Sequence, residues 1–153
     1  DIFQGQKPPD NCNLLPHVSR LESLNQCYNV CNIVLDTGTE SWSLPSFHCV
    51  GLGKYGVIGN WAGLKSWAND ENSVLINSNE MFESHDGMFF HKGADFSQGK
   101  FFDFDENEFI NGCEKAIEKY KQNKINIEGL KIQEDFKWEN TANIILEELQ
   151  KLV

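Results

Sequence analysis

Basic residues are scarce in this sequence. Its 153 residues contain 13 Lys and Arg against 23 Asp and Glu, which gives a formal net charge of −10. A surface that binds nucleic acid or an acidic membrane needs clustered Lys and Arg side chains, and the sequence shows no such cluster. We therefore expect no nucleic-acid partner.

Long apolar runs and a signal-peptide pattern are also missing. No stretch reaches the roughly 18 consecutive apolar residues of a membrane-spanning helix, and the first residues lack the features of a secretory signal. The chain begins at Asp1 rather than at Met. We expect a cytoplasmic chain that has been processed, trimmed or cut from something longer.

The cysteines form neither a zinc pattern nor a disulfide framework. Cys27 and Cys31 are four residues apart, but no second pair of Cys or His completes a zinc site. Most of the five cysteines have apolar neighbours. We expect reduced, small core residues of a cytosolic protein.

The remaining composition is that of one globular domain, with 40% hydrophobic and 24% charged residues. Short β-branched or apolar runs predict buried strands, and apolar residues at helical spacing predict helices. The predicted strands cover about residues 32–35, 56–59 and 74–76. The predicted helices cover about residues 20–29, 45–52, 64–67, 105–120, 127–133 and 138–152.

Alternating short strands and helices favour a parallel sheet with helices on both faces. The expected fold is a Rossmann-like, three-layer α/β domain over residues 1–153. Residues 77–100 are rich in Asn, Ser, Gly and Phe and show no period, so we expect an irregular excursion there. Residues 101–104 fit either a strand or a packed loop. The last helix is expected to turn Trp138, Ala142, Ile145, Leu146 and Leu149 inward.

The segment from Asp36 to Ser43 leads from a strand into a helix. Ser43 is the expected helix cap, and Pro45 is tolerated in the first turn. Ligands of parallel α/β sheets bind beyond the carboxyl ends of the strands, where the loops 16–19, 36–43 and 59–63 meet. Because a helix N-terminus offers free N–H groups and a positive dipole end, we expect an anion site there.

An ordered set of motifs surrounds this segment. It consists of Glu40-Ser41-Trp42-Ser43-Leu44-Pro45, a helix ending in Gly, Gly56-Val57-Ile58-Gly59-Asn60, Gly63-Leu64 and Asn72-Ser73-Val74-Leu75-Ile76. This order resembles the C-terminal, nucleotide-sugar-binding domain of GT-B-fold retaining glycosyltransferases (group 1 type). That family reads Glu-Gly-Phe-Gly-Leu-Pro, Pro-Val-Ile, Gly-Gly-Leu and Asn-Gly-Leu-Leu-Val. The ending Phe136-Lys137-Trp138-Glu139 resembles the family's Phe-Ser-Trp-Glu, and the match covers about residues 14–76 and 104–152.

The resemblance implies one half of a GT-B fold that binds a nucleotide-diphosphate sugar. The implied reaction transfers a hexose to an acceptor hydroxyl with retention, without a metal ion or other cofactor. Glu40 is the implied catalytic residue, in contact with the donor sugar. His48, expected in the first turn of its helix, stands where the family has a second Glu that holds the ribose. The other implied donor-binding residues are Thr39, Ser41, Trp42, Ser43, Leu44, His17, Val18, Asn60 and Gly63.

The sequence departs from the family at several places. Ser41 and Ser43 replace two glycines of the motif. A strand with the Arg and Lys that clamp the diphosphate, and a whole acceptor-binding domain, have no counterpart. We therefore expect a fold that is incomplete at its N-terminus, in a fragment of a two-domain enzyme that is inactive alone. The acceptor, a glycan or a small molecule, and any peripheral membrane contact would then belong to the missing domain.

Two other functions stay open. The chain could be a degenerate, non-catalytic nucleotide-binding or interaction module of the same fold, with His48 as the mark of lost activity. It could also be an unrelated doubly wound domain of the response-regulator kind, which needs an acidic cluster where only Asp36 stands. A metal site at Glu83, His85, Asp86 and His91 has no spacing that fits a known geometry, so we expect a solvated loop there.

Overall fold

The structure, a computed structural model, describes residues 7–13 and 20–152. The chain forms two compact units, one through Val30 and the other from Cys31 onward. Helix α1, Leu21–Val30, lies in the first unit and was predicted within one residue. The expectation of one domain over residues 1–153 stays a prediction.

The second unit contains a three-stranded parallel sheet. Its strands are β1 (Ile33–Asp36), β2 (Tyr55–Gly59) and β3 (Val74–Ile76), in the order β1-β2-β3. The helices are α2 (Leu44–Gly51), α3 (Glu106–Gln122), α4 (Ile127–Leu130), α5 (Ile132–Asp135) and α6 (Trp138–Gln150), with a short 3₁₀ helix over Ala62–Ser66. The predicted strands are confirmed within one residue, whereas the helix predicted over 127–133 is divided in two at Lys131.

Helices cover both faces of this sheet. Successive residues of a strand point to opposite faces. Ile58 packs in one cluster with Val50 of α2, while Val57 packs in a second cluster with Ala116 of α3. All five residues of β2 are buried, as expected for a central strand covered on both sides. The predicted three-layer α/β arrangement with a parallel sheet is therefore confirmed.

The ends of two helices show the local chemistry of the sequence. Gly53 lies just beyond α2 with φ +78°, and its N–H donates to the carbonyl of Val50 at 2.9 Å. Glycine suits this left-handed position because it has no Cβ. The Asp105 side chain caps α3 by accepting from the Glu108 N–H at 2.9 Å. The Glu108 carboxylate does not complete a capping box, because it accepts from the N–H of Asn77 at 3.0 Å.

Residues 77–100 contain a strand that the sequence did not reveal. Strand β4, Glu80–Glu83, pairs antiparallel with β5, Lys100–Asp103, so the expectation of an irregular excursion is corrected at both ends. The charged residues at the ends of both strands hide their β pattern. In the loop between them, Asp86 accepts the N–H groups of Met88, Phe89 and Phe90. These bonds lower the pKa of Asp86. Among the described residues, no group of three or more His, Cys, Asp or Glu could hold a metal ion.

Helix α6 differs from its predicted role. Its side chains Trp138, Ile145 and Leu149, expected to face inward, are 85%, 54% and 53% exposed. Ala142 and Leu146 are exposed as well, and α6 has no buried residue within the structure described. The 3.6-residue period predicted the helix correctly, but a period does not specify which surface covers the apolar face. No helix among the described residues combines the length and the apolar character that crossing a membrane requires.

Candidate functional site

The loops that follow the three parallel strands meet at one edge of the sheet. The Gly63 N–H donates to the carbonyl of Glu40 at 3.2 Å, which joins the loops after β1 and β2. The Asn60 side-chain amide donates to Asn77 Oδ1 at 2.9 Å, which joins the loops after β2 and β3. The carboxyl edge is therefore one continuous surface, where ligands of parallel α/β sheets bind.

Ser43, the residue just before helix α2, has an unusual backbone conformation. Its φ of 55° and ψ of 76° lie in the left-handed region, and its side chain makes no capping bond to the helix. The Ser46 Oγ lies 2.5 Å from Asp36 Oδ2 and 2.8 Å from Ser43 Oγ. Because a hydroxyl has one hydrogen, Ser46 donates to the carboxylate and accepts from Ser43. Ser43 thus occupies the predicted cap position, but the prediction of a capping side chain was wrong.

The first turn of α2 presents two backbone donors. Pro45 has no N–H, and the Phe47 N–H donates to the Ser43 carbonyl at 3.0 Å. The N–H groups of Leu44 and Ser46 remain, and neither has a hydrogen-bond partner within the part of the chain that the structure describes. Leu44 is exposed whereas Ser46 is 1% exposed, so the Leu44 N–H and the positive end of the helix dipole are the groups that suit an anion.

The 3₁₀ helix after β2 approaches the Ser41 backbone very closely. A Cβ atom added to Gly63 would lie 1.5 Å from the carbonyl oxygen of Ser41. Only glycine therefore fits at this position in the observed structure. The preceding residue, Ala62, has a φ of 47°, again in the left-handed region.

Glu40 and Asp36 place two carboxylates around Gly38. A Cβ atom at Gly38 would lie 3.4 Å from both Glu40 Cγ and Asp36 Oδ1. Glu40 is exposed, and no hydrogen bond engages its carboxylate among the described residues. Asp36 accepts from the Gly38 N–H at 3.1 Å as well as from Ser46. Glu40 is therefore open to a ligand, while Asp36 holds the loop and the helix together.

His48 lies one turn further along α2 than expected. It follows Leu44 by four residues, so the two side chains share one face of the helix. Both are exposed, and the His48 ring lies 5.8 Å from that of Phe47, between ring centroids. This face continues from the helix N-terminus, so one ligand can contact both.

The tryptophan rings near the site are used for packing. Trp42 packs against Phe47 and Phe136, with centroid distances of 5.5 and 5.4 Å. The buried Trp61 stacks on Phe102 at 5.7 Å and donates its indole N–H to the Gly38 carbonyl at 3.0 Å. The Trp42 ring is therefore engaged in packing, and the predicted contact of Trp42 with a donor could be made only by its backbone.

A cavity of about 300 Å³ adjoins the site between the 3₁₀ helix and the β4–β5 hairpin. Both polar and apolar groups line it, and it carries the positive charge of Lys65 and the negative charge of Glu80. Its lining includes Asn60, Trp61, Ala62, Lys65, Asn79, Met81 and Phe102.

Most of the predicted residues therefore lie on the loops of one sheet edge, whereas His17 and Val18 lie outside the described residues. The residues at this edge are Thr39, Glu40, Ser41, Trp42, Ser43, Leu44, Asn60 and Gly63. Sequence reasoning missed the structural roles of Ser46 and Asn77 and the position of Lys65. Asn77 carried one usable signal, since it directly follows a predicted strand.

Known protein families and curated proteins give no match to this chain. The resemblance described above therefore rests on the order of the motifs in the sequence.

Proposed function

We propose that this chain is the donor-binding domain of a retaining glycosyltransferase. In this proposal the parallel sheet is Rossmann-like and forms one half of a GT-B fold. The carboxyl edge of the sheet binds a nucleotide-diphosphate sugar, from which a hexose passes to an acceptor hydroxyl. The acceptor-binding groups belong to a second domain of a longer protein.

The backbone at Ser43 and Ala62 is the observation that carries this proposal. Among the described residues, these two are the non-glycine residues with positive φ. Both stand where the resembled family has glycine, in Glu-Gly-Phe-Gly-Leu-Pro and in Gly-Gly-Leu. The motif resemblance depends on residue type alone, so backbone conformation supports it independently. A left-handed Ser or Ala costs about 1–2 kcal/mol, and this fold keeps the conformation even without glycine.

The diphosphate would bind at the start of α2. The N–H group of the exposed Leu44 and the helix dipole stabilise negative charge there. In the transition state they would offset the charge that develops on the leaving diphosphate. Asp36 and Glu40 oppose this attraction, so we expect weak binding of a nucleotide by this chain alone.

Glu40 and His48 would hold the hydroxyl groups at the two ends of the donor. The exposed Glu40 carboxylate can accept hydrogen bonds from two hydroxyls of a hexose. A neutral His48 imidazole can donate to or accept from a ribose hydroxyl. Because Leu44 and His48 share a face, a nucleotide lying along α2 reaches the helix N-terminus and the imidazole together.

Calorimetric titration with uridine and guanosine diphosphates and their hexose conjugates tests this proposal. We expect one nucleotide series to bind with a dissociation constant between about 10 μM and 1 mM, in the weak range of affinities. Glu40→Gln should weaken binding of the sugar conjugate. Binding of the bare diphosphate should be unchanged or tighter. Glu114→Gln, at an exposed position of α3, is the matched control. Absence of binding by every nucleotide at millimolar concentration would overturn the proposal.

His48, which stands where the resembled family has a Glu that holds the ribose, favours a second candidate, a degenerate, non-catalytic nucleotide-binding module. Both candidates bind nucleotide, so they separate in an assay for release of nucleoside diphosphate by the longest natural form of the protein. Release that Glu40→Gln abolishes supports the transferase. Binding without release in that form supports the module.

A further inference from the structure

Cys31 and Cys49 lie together at the amino edge of the sheet, opposite the candidate site. Cys31 precedes β1, and Cys49 lies in the last turn of α2 with 3% of its surface exposed. The Tyr55 N–H donates to the Asn32 carbonyl at 3.2 Å, and the Lys54 N–H donates to the Cys49 carbonyl at 3.0 Å. The start of β2 and the residue before it therefore hold the backbone of Cys49 and that of Asn32, which follows Cys31, in place.

Asn32, next to Cys31, and Cys49 are bonded to the consecutive residues Tyr55 and Lys54, which brings the two cysteines close together, and each thiol influences the pKa of the other. The Cys31 Sγ also lies 3.0 Å from the carbonyl oxygen of Ile33, and Cys31 is only partly buried. A small reagent can therefore reach Cys31, while Cys49 stays behind it. Both cysteines are free thiols in the structure.

The difference in burial assigns different roles to the two sulfur atoms, since Cys31 is partly exposed and Cys49 is buried, and the electrostatics agree with it. Donation from Cys49 and the positive charge of Lys54 lower the pKa of Cys31 to about 7, although burial opposes the shift. The same hydrogen bond, together with burial, raises the pKa of Cys49. At neutral pH Cys31 is therefore a partly ionised nucleophile, since the thiolate is the reactive form.

We propose that Cys31 and Cys49 form a reversible dithiol–disulfide site that exchanges with small-molecule disulfides such as oxidised glutathione. The Cys31 thiolate attacks one sulfur of the reagent and expels a glutathione thiolate, which takes up a proton. Cys49 then loses its proton and attacks the Cys31 sulfur, expelling the second glutathione. Two thiols are oxidised to one disulfide, and one glutathione disulfide is reduced to two glutathione thiols.

The disulfide would close a ring that contains the candidate site. Strand β1, the loop from Asp36 to Ser43 and the first turn of α2 all lie between Cys31 and Cys49. Cross-linking restricts the unfolded chain, so the oxidised form should melt higher by roughly 5 °C. This inference holds whether or not the site binds a nucleotide sugar.

Mass spectrometry of the full chain, oxidised by glutathione disulfide and then alkylated, tests the proposal. Trypsin cannot separate the two cysteines, because no Lys or Arg lies between Arg20 and Lys54. A glutamate-specific protease cuts after Glu40 and places them on different peptides. The experiment uses a Cys27→Ser chain, since Cys27 would share the Cys31 peptide.

We expect a linked pair of peptides that disappears on reduction with dithiothreitol. Cys31→Ser and Cys49→Ala should each abolish the link, with circular dichroism as the check on folding. On oxidation the unmutated chain should lose two titratable thiols and its melting temperature should rise. This readout does not depend on the folding of any variant. A stable glutathione adduct on Cys31 with Cys49 still open to alkylation would overturn the proposal, as would full alkylation of both.

Discussion

Replacing Gly63 by Ala tests the contact between the loops after β1 and β2. The added Cβ would lie 1.5 Å from the Ser41 carbonyl oxygen and 2.2 Å from its carbonyl carbon. Non-bonded heavy atoms are in comfortable contact at about 3.5 Å, so the two backbones must separate by roughly 2 Å. That separation breaks the bond from the Gly63 N–H to the Glu40 carbonyl and displaces the site loop.

The expected loss of stability follows from the contacts that are broken. One backbone hydrogen bond contributes about 1 kcal/mol, and the indole bond from Trp61 to the Gly38 carbonyl contributes a similar amount. With the packing lost around the buried Trp61, we expect a total of about 2–4 kcal/mol. For a chain of this length the melting temperature should fall by roughly 5–15 °C.

Urea and thermal unfolding measure this change, and the NMR signal of the Trp61 indole N–H reports the loop position. Gly51→Ala is the matched control, because its Cβ would lie 3.6 Å from Ile132 Cγ2, an ordinary contact. Alanine is favoured over glycine within a helix, so this control should be neutral or stabilising by up to about 1 kcal/mol. A Gly63→Ala chain with unchanged stability and an unchanged indole signal would refute the reasoning.

Three further predictions concern the same edge and the cysteine pair. Ala62→Gly should raise the free energy of unfolding by about 0.5–1 kcal/mol, because relief of the left-handed conformation exceeds the added chain entropy; a lower urea midpoint would contradict this. Ser46→Ala should lower the free energy of unfolding by about 1.5–3 kcal/mol, since Ser46 donates to the Asp36 carboxylate. The control Ser66→Ala, at an exposed position, should change the urea midpoint little. Alkylation of Cys31 by iodoacetamide should accelerate as pH rises through about 7, because the thiolate reacts and its pKa is lowered to that value. Cys49→Ala should move that pH profile upward, and an unmoved profile would argue against the thiol–thiol hydrogen bond.

The parallel sheet could be predicted because its strands are short apolar runs between turn residues. Strand β3 was predicted at Val74–Ile76 and is observed with those bounds. The hairpin of β4 and β5 could not be predicted, since Glu80 and Glu83 remove any alternating pattern from β4. The prediction that the apolar face of α6 points inward was wrong. Amphipathic spacing indicates an apolar stripe but not the surface that covers it.

The location of the site could be predicted from strand ends, but its internal bonds could not. The sequence suggested Ser43 as a cap, yet Ser43 has a left-handed backbone in which its side chain makes no capping bond to the helix. The bond from Ser46 to Asp36 joins residues ten apart whose meeting depends on how α2 packs on β1. Likewise, the close approach of Gly63 to Ser41 is a tertiary contact that no local pattern contains.

An NMR titration of the isotopically labelled chain with uridine and guanosine diphosphate hexoses tests the central claim most directly. The account predicts shifts of backbone amide signals at Glu40–Leu44, Ser46 and Asn60–Gly63, with the His48 ring signals following in the same titration. Signals of the loop between β4 and β5 should stay in place. No shift at millimolar ligand, or shifts confined to that loop, would contradict a nucleotide-sugar site at the carboxyl edge of the sheet.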